Sequence, residues 1–180
     1  MSAPSRKILL FLVFLPFLSL FQAGCGYHLV GSSSFLPEEY QTLYIERMKN
    51  NTSWPDLGQR MDEALSREWV RRRRFQLVDS REAAHIVLEG SIQSISMVPV
   101  QLDERGRATQ YQMTLVVSAH LVDPRGEEPK VLWEDKAFSR RTSYDVDASS
   151  VNYFDRQIQA MEEVSEELSR ALVTAVLEGF

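Results

Sequence analysis

The sequence predicts an α+β domain: a two-layer sandwich in which a mostly antiparallel four- to five-stranded sheet carries two helices packed on one face. Three observations predict it. Residues 55–73 and 151–177 place apolar side chains at three- and four-residue spacing, the mark of amphipathic helices. The segments before and between them alternate with period two, the mark of half-buried strands. Short turns join the central strands, and strands joined in a meander pair antiparallel, with one face left for both helices to cover.

The elements follow in order. Tyr40 to Met48 reads as the first strand, with Leu43 and Ile45 on one face. Asn50 to Ser53 is turn-like, and Pro55 suits the first position of a helix. That helix runs to about Arg73, with Leu57, Met61, Ala64, Leu65 and Trp69 as its apolar stripe and Glu68 as the polar member. Phe75 to Val78 is a short strand and Asp79 to Ala84 a turn or brief helical link. His85 to Val98 is a long strand. Ile86, Leu88, Gly90 and Ile92 share one parity while Ile95 and Met97 have the other, so a bulge belongs near Gln93-Ser94. Pro99 is expected to limit pairing beyond it. Asp103-Glu104-Arg105-Gly106-Arg107 forms a polar hairpin tip. The return strand alternates most cleanly, with Tyr111, Met113, Leu115, Val117, Ala119 and Leu121 on one side. After the turn Asp123-Pro124-Arg125-Gly126, Val131 to Phe138 is a further strand with Val131 and Trp133 on one face. A polar loop from Ser139 to Ser150 leads to the last helix. Its seam is Ile158, Met161, Val164, Ser165, Leu168, Leu172, Ala175 and Val176.

A segment of another kind precedes this domain. Arg6 and Lys7 lead into a 13-residue apolar run, Ile8 to Leu20, interrupted by Pro16. A membrane-spanning helix needs about 20 residues. A basic start, a short apolar stretch and the small residues Ala23-Gly24 make a secretory signal instead. Cys25, the chain's only cysteine, comes next. The arrangement resembles a bacterial lipoprotein signal, with Gln22 where Leu is usual, in which the cysteine is acylated (palmitate being one such chain) and becomes the mature N-terminus. The alternative is an ordinary signal cut near Ala23-Gly24 that leaves a free thiol. A lone cysteine in an oxidising compartment has no intramolecular partner, which favours lipidation. Gly26 after the cysteine, where Asp marks inner-membrane retention, points by analogy to the outer membrane. The expected organisation is a signal peptide over 1–24, a lipidated N-terminus and tether over 25–39, and one domain over 40–180.

Composition narrows the function. Removing 1–24 takes Arg6 and Lys7 and no acid, so 18 basic residues face 25 acidic ones, a formal charge of −7. Nonspecific nucleic-acid binding rests on cationic surface, so nucleic acid is not an expected partner. His28, His85 and His120 stand in no metal-ligand spacing, and neither a nucleophile elbow nor a glycine-rich phosphate loop is present. No catalytic residue, metal or cofactor is expected. The cationic clusters are the candidate sites. Arg71-Arg72-Arg73-Arg74 ends the first helix, where a cation also complements the helix dipole. Arg105 and Arg107 occupy the hairpin tip, and Arg140-Arg141 leave the last strand. Each suits either a solvated surface or a bidentate grip on phosphate or carboxylate, as in a phosphorylated lipid head group.

A series of short motifs resembles the LptE family. It comprises Cys25-Gly26-Tyr27-His28-Leu29, Leu36-Pro37, Leu43-Tyr44-Ile45, Asn50-Asn51-Thr52 and Arg74-Phe75-Gln76-Leu77-Val78. Ala84 through Gly90, Gln110-Tyr111-Gln112-Met113 and Val131-Leu132-Trp133-Glu134 complete it. The resemblance implies a sheet with two helices on one side and a non-catalytic outer-membrane lipoprotein anchored through Cys25. It implies a domain on the periplasmic side or within the lumen of the β-barrel LptD, which it plugs and helps to assemble while lipopolysaccharide passes to the outer leaflet. The family's lipopolysaccharide-contacting basic residue on the hairpin tip falls on Arg105 or Arg107. Its second basic position, in the loop before the last helix, has no clear counterpart, since Asp145, Asp147 and Ala148 stand there. The alternative is a periplasm-facing lipoprotein that activates a cell-wall synthase or forms part of a secretion channel.

Overall fold

The computed structural model describes residues 36–146 and 153–179. Cys25 and most of the expected tether lie outside them, as do 147–152. The described elements are β1 (Thr42–Ile45), β2 (Lys49–Asn50), α1 (Leu57–Arg72), β3 (Gln76–Leu77), a 3-10 turn (Arg81–Ala83), β4 (Ile86–Leu102), β5 (Ala108–Asp123), β6 (Lys130–Asp145) and α2 (Tyr153–Glu178). They form the expected α+β sandwich. The sheet has six strands in the order β3-β1-β4-β5-β6, with β2 also beside β4.

The sheet is mixed rather than meandering throughout. β1 pairs parallel with both β3 and β4, and β2 parallel with β4, while β4-β5 and β5-β6 are antiparallel. The reason is α1. A helix between β1 and β3 returns the chain to the starting edge, so β3 must run the same way as β1. The segment expected as one strand over Tyr40 to Met48 is also broken. The backbone leaves the sheet after Ile45 and rejoins it at Lys49, with Met48 N–H capped by the Asp62 carboxylate at 3.0 Å.

The apolar stripes of both helices meet the inner sheet face. Leu57, Met61, Leu65 and Trp69 of α1, and Val164, Leu168, Leu172 and Val176 of α2, are fully buried against Leu43, Ile86, Leu88, Ile92, Met113, Leu115 and Leu121. The predicted bulge is present. Ile92 pairs with Val117 and Ser94 with Val116, so Gln93 is the extra residue and Ile95 and Met97 return to the core side. Gly90 permits the close approach of β5: a Cβ there would meet the Ser118 carbonyl oxygen at 2.5 Å. A small cluster of Ala84, Val87 and Val122 lies apart from this core.

Four expectations are corrected. Pro99 does not end the strand: pairing runs on to Leu102 through irregularities after Pro99 and Gln101. β6 continues to Asp145, so Ser139 to Asp145 is strand, and Arg140 and Arg141 lie within it. Val131 and Trp133 do not share a face, because a bulge at Leu132 turns Val131 outward to 55% exposure while Trp133 is buried. Ile158 is exposed, unlike the rest of its seam. The contacts Arg60–Glu162, Arg67–Glu166 and Arg72–Thr174 rise together along both chains, so α1 and α2 run parallel. The first turns of α2 therefore project past the start of α1, and Ile158 has no facing helix.

Candidate functional site

The same offset shapes the far end of the sheet. β2 accompanies β4 only as far as Ile92. Beyond the bulge, β4, β5 and β6 continue as a three-stranded extension with the opening turns of α2 on one face. Tyr111 stacks on Tyr144 at 5.8 Å, Tyr153 meets Tyr111 edge-on at 6.0 Å, and the Gln157 amide contacts the Met97 sulfur at 2.7 Å. Burial, then the neighbouring Tyr153 and Tyr111, push the Tyr144 phenol up to about 12. Beside this aromatic clamp and beyond it, Val98, Val100 and Leu102 of β4 and Phe154 of α2 are exposed.

The hairpin tip is organised by Asp103. Gly106 takes φ +73°, and its N–H donates to the Asp103 carbonyl at 2.9 Å. The Asp103 carboxylate accepts the backbone N–H of Arg105 at 2.8 Å and of Arg107 at 2.9 Å, and the Arg107 guanidinium at 2.8 Å. These bonds, led by the Arg107 backbone, hold Asp103 below the usual carboxylate range. The two tip arginines thus differ. Arg107 is tied back to the turn, whereas the exposed Arg105 side chain has no partner among the described residues. Of these two, Arg105 is the free cation, three residues beyond the exposed Leu102 that ends β4.

The other clusters lie elsewhere. Arg140 pairs with Leu115 and Arg141 with Thr114, well down the sheet from the tip, and their side chains leave on opposite faces. Arg140 lies over the Phe138 ring at 4.8 Å on the helix side. The run at the end of α1 is distributed one residue at a time. Arg71 and Arg72 hold the buried Glu68 carboxylate at 3.0 and 2.8 Å, and Arg72 also donates to the Thr174 hydroxyl at 2.6 Å. Arg73 is the helix C-cap in the left-handed conformation, φ 53°. Arg74 donates to the carbonyls of Tyr40, Leu36 and Pro37 at 3.0 to 3.2 Å and covers the Phe75 ring. It ties down the buried Leu36, so the packed body reaches back into the segment expected as tether.

Further charged groups are paired within the fold. Asp123 accepts the Tyr40 hydroxyl at 3.0 Å and a bidentate grip from Arg125, which holds its carboxyl far below the usual range. His120 meets Glu89 at 2.8 Å, and His85 Nδ1 accepts the Gln41 N–H. Sequence reasoning missed Asp103 as the organiser of the tip, although its spacing of four from Arg107 around a glycine carries the signal. It missed the Phe138–Arg140 stack, because the strand was expected to end at Phe138 and not to carry Arg140 on the same face two residues on, and it missed Arg170, which joins them only through tertiary packing. No helix among the described residues is long and apolar enough to cross a membrane.

The chain is thus a two-layer α+β domain that presents a clamped hairpin with an unpaired arginine at its tip. Solved structures share the fold. The hypothetical protein CT253 from Chlamydia trachomatis superposes with a TM-score of 0.56 at 13% identity, covering 78% of this chain and 97% of that one. A putative lipoprotein from Caulobacter crescentus gives 0.51 at 13% identity over 75% and 87%. The PelC dodecamer from Paraburkholderia phytofirmans gives 0.50 at 14% over 82% and 96%. No curated protein matches the sequence. The family LptE, lipopolysaccharide-assembly, matches residues 40–176. The chain belongs to the LptE family, and its broad role is in lipopolysaccharide assembly.

Proposed function

We propose that this protein is an outer-membrane lipoprotein, acylated at Cys25, that plugs and helps assemble an LptD-type β-barrel and assists delivery of lipopolysaccharide to the outer leaflet. It performs no catalysis in this role. The observation that carries the reading is that Arg105, whose side chain has no internal partner among the described residues, follows by three residues the end of a strand whose Val98, Val100 and Leu102 are exposed. A phosphorylated, acylated glycolipid offers both counterparts: an oxyanion for a guanidinium and alkyl chain for an aliphatic surface. A polar sheet face rich in Ser91, Ser94, Ser96, Ser118 and Thr114 suits a polar barrel lumen. Arg141, away from the tip, is a second-rank candidate for lipopolysaccharide, Arg140 on the opposite face is not assigned to it, and the Arg71–Arg74 run is assigned to internal ties and helix capping.

Two experiments test it. Affinity purification of the tagged native protein from outer membranes is expected to recover a β-barrel partner and lipopolysaccharide, and recovery of a peptidoglycan synthase instead would overturn the assignment. Arg105→Glu is expected to weaken lipopolysaccharide binding strongly while the unfolding midpoint stays unchanged. Arg107→Glu acts through the turn and is expected to weaken binding less. Equal affinity of Arg105→Glu and wild type removes the tip from the mechanism.

A further inference from the structure

A second feature of the surface lies apart from the tip. Between β6 and α2 runs an open cleft of about 610 Å³, closed in part by Arg72 at the end of α1. That volume lies in the range of small-molecule sites, about 300–1,000 Å³. Three arginines reach it from three different elements. Arg72 is fixed by Glu68 and Thr174. Arg140 is fixed by its stack on Phe138 and by one bond to the Ser139 carbonyl at 2.7 Å, which leaves most of its donors unused. Arg170 has no side-chain partner among the described residues. Asp135 and Glu167 also line the cleft, so its charged groups sum to one positive charge. Ala171 and Ala175 stand one helical turn apart and, with Phe138, make an apolar wall that larger side chains would fill.

We propose that this cleft binds a phospholipid with a singly charged anionic head group. The phosphodiester sits between the Arg140 and Arg170 guanidinium groups, and the start of one acyl chain lies along Phe138, Ala171 and Ala175. Charge complementarity selects the occupant. Arg71 and Arg72 share the Glu68 carboxylate and so keep one positive charge between them, while Asp135 and Glu167 offset Arg140 and Arg170; the net single positive charge matches one negative charge and disfavours a head group carrying several. The apolar wall disfavours a free phosphate, which would gain nothing from it. Such a site would hold the body against a membrane surface independently of any anchor at Cys25, and it does not rest on the tip's role.

The test uses the full chain in neutral detergent with photoactivatable phosphatidylglycerol or phosphatidylcholine, each with the reactive group early in an acyl chain. Labelling by phosphatidylglycerol is expected on peptides containing Phe138 and Ala171. It is expected to fall at least fivefold in the double variant Arg140→Gln with Arg170→Gln, and in Ala171→Leu, which fills the wall without changing charge. Arg105→Gln is expected to leave it unchanged. All variants are compared at matched thermal midpoints, and Arg140 and Arg170 are exposed enough for folding to survive. Equal labelling by phosphatidylcholine overturns the proposal, as does labelling insensitive to both cleft variants. Displacement of the label by equimolar lipopolysaccharide also overturns it, since the cleft would then select a multiply charged glycolipid.

Discussion

Replacing Arg74 by Gln tests whether the run at the end of α1 is structural. Its guanidinium donates to three backbone carbonyls, those of Tyr40, Leu36 and Pro37, and lies 4.5 Å from the Phe75 ring centroid. A hydrogen bond to a charged group contributes about 1.5–3 kcal/mol when sheltered. Here the bonds to Tyr40 and Leu36 are half-buried and the one to Pro37 exposed, so water replaces part of what is lost and about 0.5–1 kcal/mol each is appropriate. The stack on Phe75 adds about 0.5–1 kcal/mol. The expected loss is therefore about 2–4 kcal/mol, or roughly 5–12 °C in Tm for a domain of this size. Urea unfolding followed by tryptophan fluorescence reads it, because Trp69 packs on Phe75 at 5.6 Å. Arg74→Lys should recover less than half, since one ammonium cannot span three carbonyls. Arg73→Gln, at an exposed position with no side-chain partner among the described residues, should stay within about 0.5 kcal/mol of wild type. If Arg74→Gln and Arg73→Gln unfold alike, the tie to Leu36 and Tyr40 holds nothing.

Three further outcomes are expected. Arg73→Gly should stabilise the protein by about 0.5–1 kcal/mol, because the C-cap at φ 53° strains any residue with a Cβ; no gain in the urea midpoint would contradict this. Gly90→Ala should cost about 1–3 kcal/mol by forcing β4 from β5, since the new methyl meets the backbone of Ser118 and Ala119; unchanged stability would mean that the bulge at Gln93 absorbs the shift. Asp123 has its carboxyl lowered chiefly by Arg125, so its ionised form stabilises the fold above about pH 4, and that share is lost as pH falls through the lowered value. The stability gap between wild type and Asp123→Asn should thus be widest near neutrality and close in strong acid; a gap constant down to pH 2 would refute the pairing.

What was legible in the sequence followed how much of each element is buried. The stripe of α1 and the alternation of β5 were plain because every core position there is apolar. The phase change between Ile92 and Ile95 located the bulge because both sides of it face the core. The parallel pairings were hidden, since β2 and β3 are two residues each and leave no periodic signal. The second half of β6 has no apolar alternation to show it, because beyond Phe138 its inward positions are Arg140 and Thr142, at a sheet edge where polar side chains reach water. The candidate site was legible as composition only. Four consecutive arginines look alike, yet two hold Glu68, one caps the helix and one binds the chain's entry into the domain. At the tip, spacing from Asp103 separates Arg107 from Arg105, and that distinction decides which cation is free.

The mismatch in element lengths explains why the hairpin tip with Arg105 stands clear of the body. The 16 residues of α1 span about 24 Å and the 26 of α2 about 39 Å at about 1.5 Å per residue. The 17 residues of β4 reach about 56 Å at about 3.3 Å each. Helices of these lengths cannot cover such strands, so one end of the sheet must be bare. Because α1 and α2 run parallel with α2 offset toward the tip, that end keeps a single aromatic clamp and the other keeps both layers. The stability of the body therefore resides near Trp69, Leu88 and Leu168, far from Arg105. Substitutions at the tip can therefore change its surface without unfolding the domain, and substitutions in the body can unfold it without touching the tip. A hairpin separated in this way from its own core can deform locally while the rest of the protein stays folded.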